Sequence, residues 1–125
     1  MTPEDFVNAL REVVLTRAVD STILAIENPP GRRPRRELIE ANAWYQGLSE
    51  QERVQLRQVA SMVAHQAVFG VLAVLDGARV VENTPDKGTF KLTFHKGSEE
   101  WDLNPPGGVP LHDILTQKPD PDVQY

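Results

Sequence analysis

Hydrophobic residues along this chain first recur at helical spacing and then switch to strict alternation. Near the start, Phe6, Leu10, Val13 and Val14, then Val19, Ile23, Leu24 and Ile26, form a stripe with the period of an α-helix. Thr2 suits an N-cap, Pro3 the first helical position, and Glu4 and Asp5 the positive end of the helix dipole. Asn28-Pro29-Pro30-Gly31 cannot continue a helix, so the first helix is predicted over Pro3–Glu27. A second, shorter helix follows, with Leu38, Ile39, Ala41, Ala43 and Trp44 on its buried face and Gly47 as its stop. Ser49-Glu50-Gln51-Glu52 is a capping box. It opens a third helix through Val54, Leu56, Val59, Met62, Val63 and Val68 to Leu75, about 40 Å long at 1.5 Å per residue. From Ala67 to Leu75 this helix is apolar all round, which predicts a central post enclosed on every side.

After Asp76-Gly77 the period becomes two. Phe90, Leu92 and Phe94 alternate with Lys91, Thr93 and His95, and the alternation resumes through Glu100, Trp101, Asp102 and Leu103. Between the runs, Gly97-Ser98 suits a type II′ turn with glycine at the position of positive φ. That turn dictates a register: Lys96 opposite Glu99, His95 opposite Glu100, Phe94 opposite Trp101, Thr93 opposite Asp102, and Leu92 opposite Leu103. Every pair matches in polarity, and such cross-strand pairs each contribute roughly 0.2–1 kcal/mol. A further strand at Arg79–Glu82 would make a three-stranded meander, with Asn83–Lys87 as a loop. Asn104-Pro105-Pro106-Gly107-Gly108 breaks the second strand. Leu111–Leu115 reads as a helical turn docking Leu111, Ile114 and Leu115, and residues 117–125 as a frayed tail.

The expected architecture is one α+β domain spanning residues 1–125. Three helices, the third long and central, pack on a small antiparallel two- or three-stranded sheet whose Phe90, Leu92, Phe94, Trp101 and Leu103 face the helices. Composition agrees: 125 residues, 40% hydrophobic and 25% charged, suit an ordinary soluble domain. Surface scaling predicts roughly 6,700 Å² exposed when folded against about 20,000 Å² unfolded, enough burial for one core. The chain has no cysteine, which excludes disulfide scaffolds, thiol catalysis and cysteine-based zinc sites and favours a reducing cytoplasm. The longest apolar run falls short of the ~20 residues of a bilayer span, and the acidic start is unlike a signal peptide, so no membrane association is expected.

Candidate chemistry is sparse. His65 lies in the third helix near Met62, Val68 and Phe69. It is read as a core imidazole, or alternatively as a base that, with the adjacent Gln66, lines a pocket. His95 is placed in a solvated cross-strand contact with Glu100. His112-Asp113 resembles the metal-binding dyad of HD-type phosphohydrolases, which implies a small metal-dependent hydrolase. Those enzymes need further His and Asp ligands on several helices, and this chain offers only His65, His95, Asp76 and scattered carboxylates; the other use for Asp113 is helix capping. No glycine-rich phosphate loop and no nucleophile elbow is present. No cofactor and no metal site is expected.

Charge gives a sharper signal. The net charge is −5, yet Arg32, Arg33, Arg35 and Arg36 fall within five positions. Such a loop suits phosphates or an acidic protein surface, although the overall acidity opposes broad nucleic-acid attraction. Of the aromatic pair at the end of the second helix, Trp44 is assigned to the core and Tyr45 to a partner interface, since adjacent helical residues point about 100° apart. Size, acidity and the lack of a catalytic set are similar to those of small bacterial immunity or adaptor proteins. The expectation is a non-enzymatic protein-interaction module, an inhibitor or regulatory adaptor. The alternatives are a nucleic-acid-associated regulator using the arginine loop, and a hydrolase using His65 and His112. The apolar surplus of the third helix leaves room for a homodimer.

Overall fold

A computed structural model describes residues 1–117, so the tail expected at 117–125 lies, from residue 118 on, outside the described residues. The fold is α+β: helices α1 (Pro3–Leu10), α2 (Arg17–Glu27), α3 (Arg36–Gln46), the long α4 (Glu50–Leu75) and the short α5 (Leu111–Thr116), with strands β1 (Thr93–Lys96) and β2 (Glu99–Asp102) in one antiparallel hairpin. The chain divides into two units, Met1–Val13 with Gln66 onward and Val14–His65. Helix α4 contributes its first sixteen residues to the second of these and the rest to the first.

In the first unit, α1 opens on a capping box: the Thr2 hydroxyl accepts from Asp5 N–H at 3.1 Å and the Asp5 carboxylate accepts from Thr2 N–H at 3.0 Å. These bonds hold the Asp5 carboxyl below its ordinary pKa. The core is Val7, Leu72, Leu111, Ile114 and Leu115, with Phe6, Leu10, Val68, Phe69, Leu75 and Leu92 packed against it. Helix α4 ends in a Schellman motif: Ala78 N–H donates to Ala73 carbonyl and Gly77 N–H to Val74 carbonyl, with Gly77 at φ +75°. The hairpin has the expected register throughout, and Leu103 N–H donating to the Leu92 carbonyl at 2.8 Å extends it by one pair. Gly97 has φ +61° and, among the described residues, no residue other than glycine has positive φ, which is the type II′ pattern. The Phe94 and Trp101 rings meet at 5.7 Å.

Three expectations for this unit are corrected. Residues 79–82 form no strand, so the sheet has two strands. Phe90 is half exposed, because it precedes the paired ladder. The apolar end of α4 is not enclosed on every side: only Gly70, Leu72 and Ala73 are buried, and Val71 is 61% exposed. A two-stranded hairpin is too small to wrap a whole helix. Taken over its whole length, polar residues included, α4 is long and apolar enough to cross a membrane, a property that core helices share. Its Val68, Phe69, Leu72 and Leu75 are packed in the core with α1 and α5 residues.

In the second unit, α2 packs on α3, and Val19, Ile23 and Tyr45 are buried. The Ser49 capping box forms as expected, Ser49 Oγ accepting from Glu52 N–H at 3.1 Å and Glu52 Oε1 from Ser49 N–H at 2.9 Å. The same bonds hold the Glu52 carboxyl below its ordinary value. The N-terminal helical run is interrupted rather than uniform: residues Arg11–Thr16 wind as a π-helix, none of them buried, so Val13 and Val14 leave the expected stripe. Leu24 is 60% exposed as well.

The aromatic pair is reversed. Tyr45 is 4% exposed and Trp44 55%. Tyr45 O–H donates to Glu27 Oε1 at 2.6 Å, Arg53 lies 4.3 Å from the ring centroid, and the Tyr45 carbonyl accepts from Arg53 Nη2 at 3.2 Å. A phenol turned toward α2 satisfies its hydroxyl there; the larger indole has no such partner among the described residues and stays outside. Tyr45 is therefore not an exposed anchor. The hydrogen bond to Glu27, with burial and the carboxylate's charge adding to it, raises the Tyr45 pKa above the ordinary phenol value near 10. Because folding raises it, the corresponding stability is present below pH 10 and is lost as pH climbs through the folded value. In a Tyr125→Phe variant, which leaves Tyr45 as the one tyrosine, phenolate absorbance at 295 nm is expected to rise only above pH 10. Glu27→Gln is expected to move it back down. Titration at or below 10 in the folded Tyr125→Phe variant with Glu27 intact would contradict the assignment.

Candidate functional site

In the second unit the candidates are surface features. Arg32, Arg33 and Arg35 are exposed in the loop before α3, and among the described residues none of their side chains makes a hydrogen bond or ion pair. Arg36 instead pairs with Glu40 at 2.9 Å, one turn on along α3. An exposed pair of this kind contributes little. The first half of α4 presents an apolar patch. Val59, Met62 and Val63 share one face by their i, i+3, i+4 spacing and are 48–68% exposed. The neighbouring Gln55 and Gln58 on that face are exposed and uncharged. Of the charges in this half, Arg53 and Arg57 are turned into bonds with Tyr45 and, at 2.6 Å, with Asp20, Glu52 reaches back to Ser49 N–H, and Glu50 stands at the first residue of the helix. From Gln58 to Leu75 the sequence has no charged residue at all.

In the first unit the candidate residues gather around the C-terminus of α4. Asp76, its C-cap, reaches α5: one carboxylate oxygen accepts from His112 N–H at 2.9 Å and from His112 Nδ1 at 2.7 Å. Both side chains are largely buried, and the Phe69 ring meets the imidazole edge-on at 5.4 Å. His112 Nε2 lies 3.4 Å from the exposed carboxylate of Asp113. Asp113 stands in the first turn of α5 but, among the described residues, its carboxylate makes no capping bond to the helix N–H groups; Asp76 accepts from His112 N–H instead, from outside the helix. Of the expected pocket residues, then, His112 and Asp113 come together with Asp76. Gln66 is exposed, and His65 is half buried on α4 rather than sealed in a core, as follows from the open sides of that helix. Among the described residues, no group of three or more His, Asp or Glu is placed to hold a metal ion. His95 lies on the open face of the hairpin, 3.6 Å from Glu100, as expected.

A pocket of about 530 Å³ opens beside this cluster, between the segment after α4 and the segment after β2. Asn104, expected only as a strand breaker, organises its floor. Asn104 Oδ1 accepts from Leu92 N–H at 2.8 Å, and Nδ2 donates to the carbonyls of Leu75 at 3.0 Å and Phe90 at 2.9 Å. Asp76 was legible as a helix stop and as one of the few acids that could join His112-Asp113 at a metal, and Arg79, Lys87 and Lys91 carried no motif. An Asp-Gly after a long helix and an Asn before two prolines were the signals present, and neither names a partner.

Comparison with protein-family models, with curated proteins and with solved structures finds no match for this chain.

Proposed function

We propose that this protein is a non-enzymatic protein-interaction module of the inhibitor or regulatory-adaptor kind, docking through the exposed, uncharged face of α4. The observation that carries the reading is the patch of Val59, Met62 and Val63, left in water beside Gln55 and Gln58. Contiguous exposed apolar surface tends to mark an interaction site, and it is unfavourable in water unless something covers it. The absence of charge on the face removes the desolvation cost that an ionic surface would carry into an interface. The arginine loop adds unspent donors that suit an acidic rim on the partner, as long-range attraction does more for encounter than for final affinity.

Purification of the native complex from the source cells is expected to give a protein partner in stoichiometric amount. The Val59→Glu/Met62→Glu variant is expected to lose at least tenfold in affinity for that partner, with its urea unfolding midpoint unchanged because both side chains are exposed. A variant that keeps full affinity overturns the reading. So does recovery of nucleic acid instead, released by salt and lost on replacing Arg32, Arg33, Arg35 and Arg36 by alanine, or flotation of the chain with lipid vesicles.

A further inference from the structure

Three basic side chains line the 530 Å³ pocket: Arg79, Lys87 and Lys91. Among the described residues, none of the three makes a side-chain hydrogen bond or ion pair. The acids of the same wall are differently engaged. Asp76 accepts two bonds from His112, Glu82 accepts from Gly88 N–H at 2.6 Å, and Asp102 accepts from Asn104 N–H at 3.2 Å. Each acid of the pocket thus already accepts at least one hydrogen bond from the protein, while the three cationic side chains donate none among the described residues. Its remaining wall is apolar, with Phe90, Val80 and Val109 among the lining residues.

Gly70 supplies an independent observation. A β-carbon at this position would stand 2.6 Å from Arg79 Nη1, with no other close contact besides the same guanidinium. Glycine within a helix costs roughly 1 kcal/mol relative to alanine. Here its missing side chain is the space in which the Arg79 head group rests, so the arginine lies against the helix while its donors remain available.

We propose that this pocket binds a small organic anion, one carrying a carboxylate, sulfonate or phosphate group on an apolar body. Arg79 and Lys91 meet the acidic oxygens, because charge-assisted bonds are the stronger kind and guanidinium geometry matches two oxygens at once. Phe90, Val80 and Val109 cover the apolar part. The volume falls within the range of roughly 300–1,000 Å³ usual for small-molecule sites. The site lies wholly in the first unit and is independent of the docking face on the first half of α4.

The probe is 8-anilinonaphthalene-1-sulfonate, compared with uncharged N-phenyl-1-naphthylamine, on the full chain, followed by dye fluorescence and backbone amide NMR. The sulfonate is expected to bind once per chain, at least tenfold more tightly than the uncharged dye, shifting amides in residues 77–91 and 104–110. Arg79→Gln/Lys91→Gln is expected to weaken it at least tenfold, with hairpin amides and thermal unfolding as the check on folding. Gly70→Ala keeps every charge but displaces the guanidinium, and is expected to weaken binding at least threefold without loss of stability. Equal affinity for the two dyes overturns the proposal, as does unchanged binding in the double variant. Absence of binding at millimolar sulfonate, or shifts confined to residues 54–63, overturns it too, the latter assigning the dye to the apolar face of α4.

Discussion

Tyr45→Ala is expected to destabilise the protein by about 3–5 kcal/mol, measured by urea unfolding and followed by circular dichroism. Truncating a buried aromatic ring loses its transfer free energy and leaves a cavity, and losses in this range are usual. Two groups are stranded with it. The Glu27 carboxylate loses the phenol that donates to it, and the Arg53 guanidinium, whose Nε is already buried without a hydrogen-bond partner, loses the ring 4.3 Å away. Tyr45→Phe separates the contributions. It keeps ring and cation contact and removes only the hydroxyl, so it is expected to cost about 1–2 kcal/mol, in line with a hydrogen bond to a charged group. Trp44→Ala, at the exposed neighbouring position, is expected to stay within about 0.5 kcal/mol of wild type. A Tyr45→Ala loss no larger than that of Trp44→Ala would contradict the placement of the two rings.

The second large effect is expected at Asn104. Its side chain makes three bonds to main-chain groups that have no ladder or helix partner: the Leu92 N–H before the hairpin, the Leu75 carbonyl at the end of α4, and the Phe90 carbonyl. Each contributes about 0.5–1.5 kcal/mol, and an orphaned buried group costs more than a lost bond returns. Asn104→Ala is therefore expected to destabilise by about 2–4 kcal/mol. Asn104→Asp is expected to be no better, since it keeps the acceptor for Leu92 but sets a carboxylate against two carbonyl oxygens. Hydrogen exchange at Leu92 tells this role from a general loss of packing: its amide should lose protection in Asn104→Ala and keep most of it in Asn104→Asp. Full protection in the alanine variant would show that another acceptor serves Leu92.

The same contrast runs through the rest of the molecule. The hairpin was readable to the residue because its information is local: a two-residue turn and a period of two determine which side chains face each other. The helix starts at Thr2 and Ser49 were readable for the same reason, their partners lying three residues away. Helix α5 was readable only in part. Its apolar triplet Leu111, Ile114 and Leu115 showed in the spacing, but a six-residue helix is not stable alone. It is held from both ends by distant side chains, Asp76 at its N-terminus and Arg11 at its C-terminus, where Nη2 donates to the carbonyls of Ile114, Leu115 and Gln117 at 2.7–2.8 Å. No spacing along the chain announces a bond across a hundred residues.

The candidate sites divide in the same way. The arginine loop was visible as composition and is found exposed. The pocket was not visible, because Arg79, Lys87, Lys91 and Asn104 mean nothing until two loops converge. Burial was the least legible property, since hydrophobicity reports which residues gain from leaving water, not whether the chain has enough neighbours to cover them. That is why the apolar end of α4 was expected to be enclosed yet keeps Val71 in solvent.

Alone, then, the sequence determined where most helices run, the caps at Thr2 and Ser49, and the turn and register of the hairpin, all set by interactions within a few residues. Tertiary structure decided which of Trp44 and Tyr45 is buried, what Asp76, Asn104 and Arg11 hold, and which apolar faces stay open, because these depend on groups brought together by folding from far along the chain.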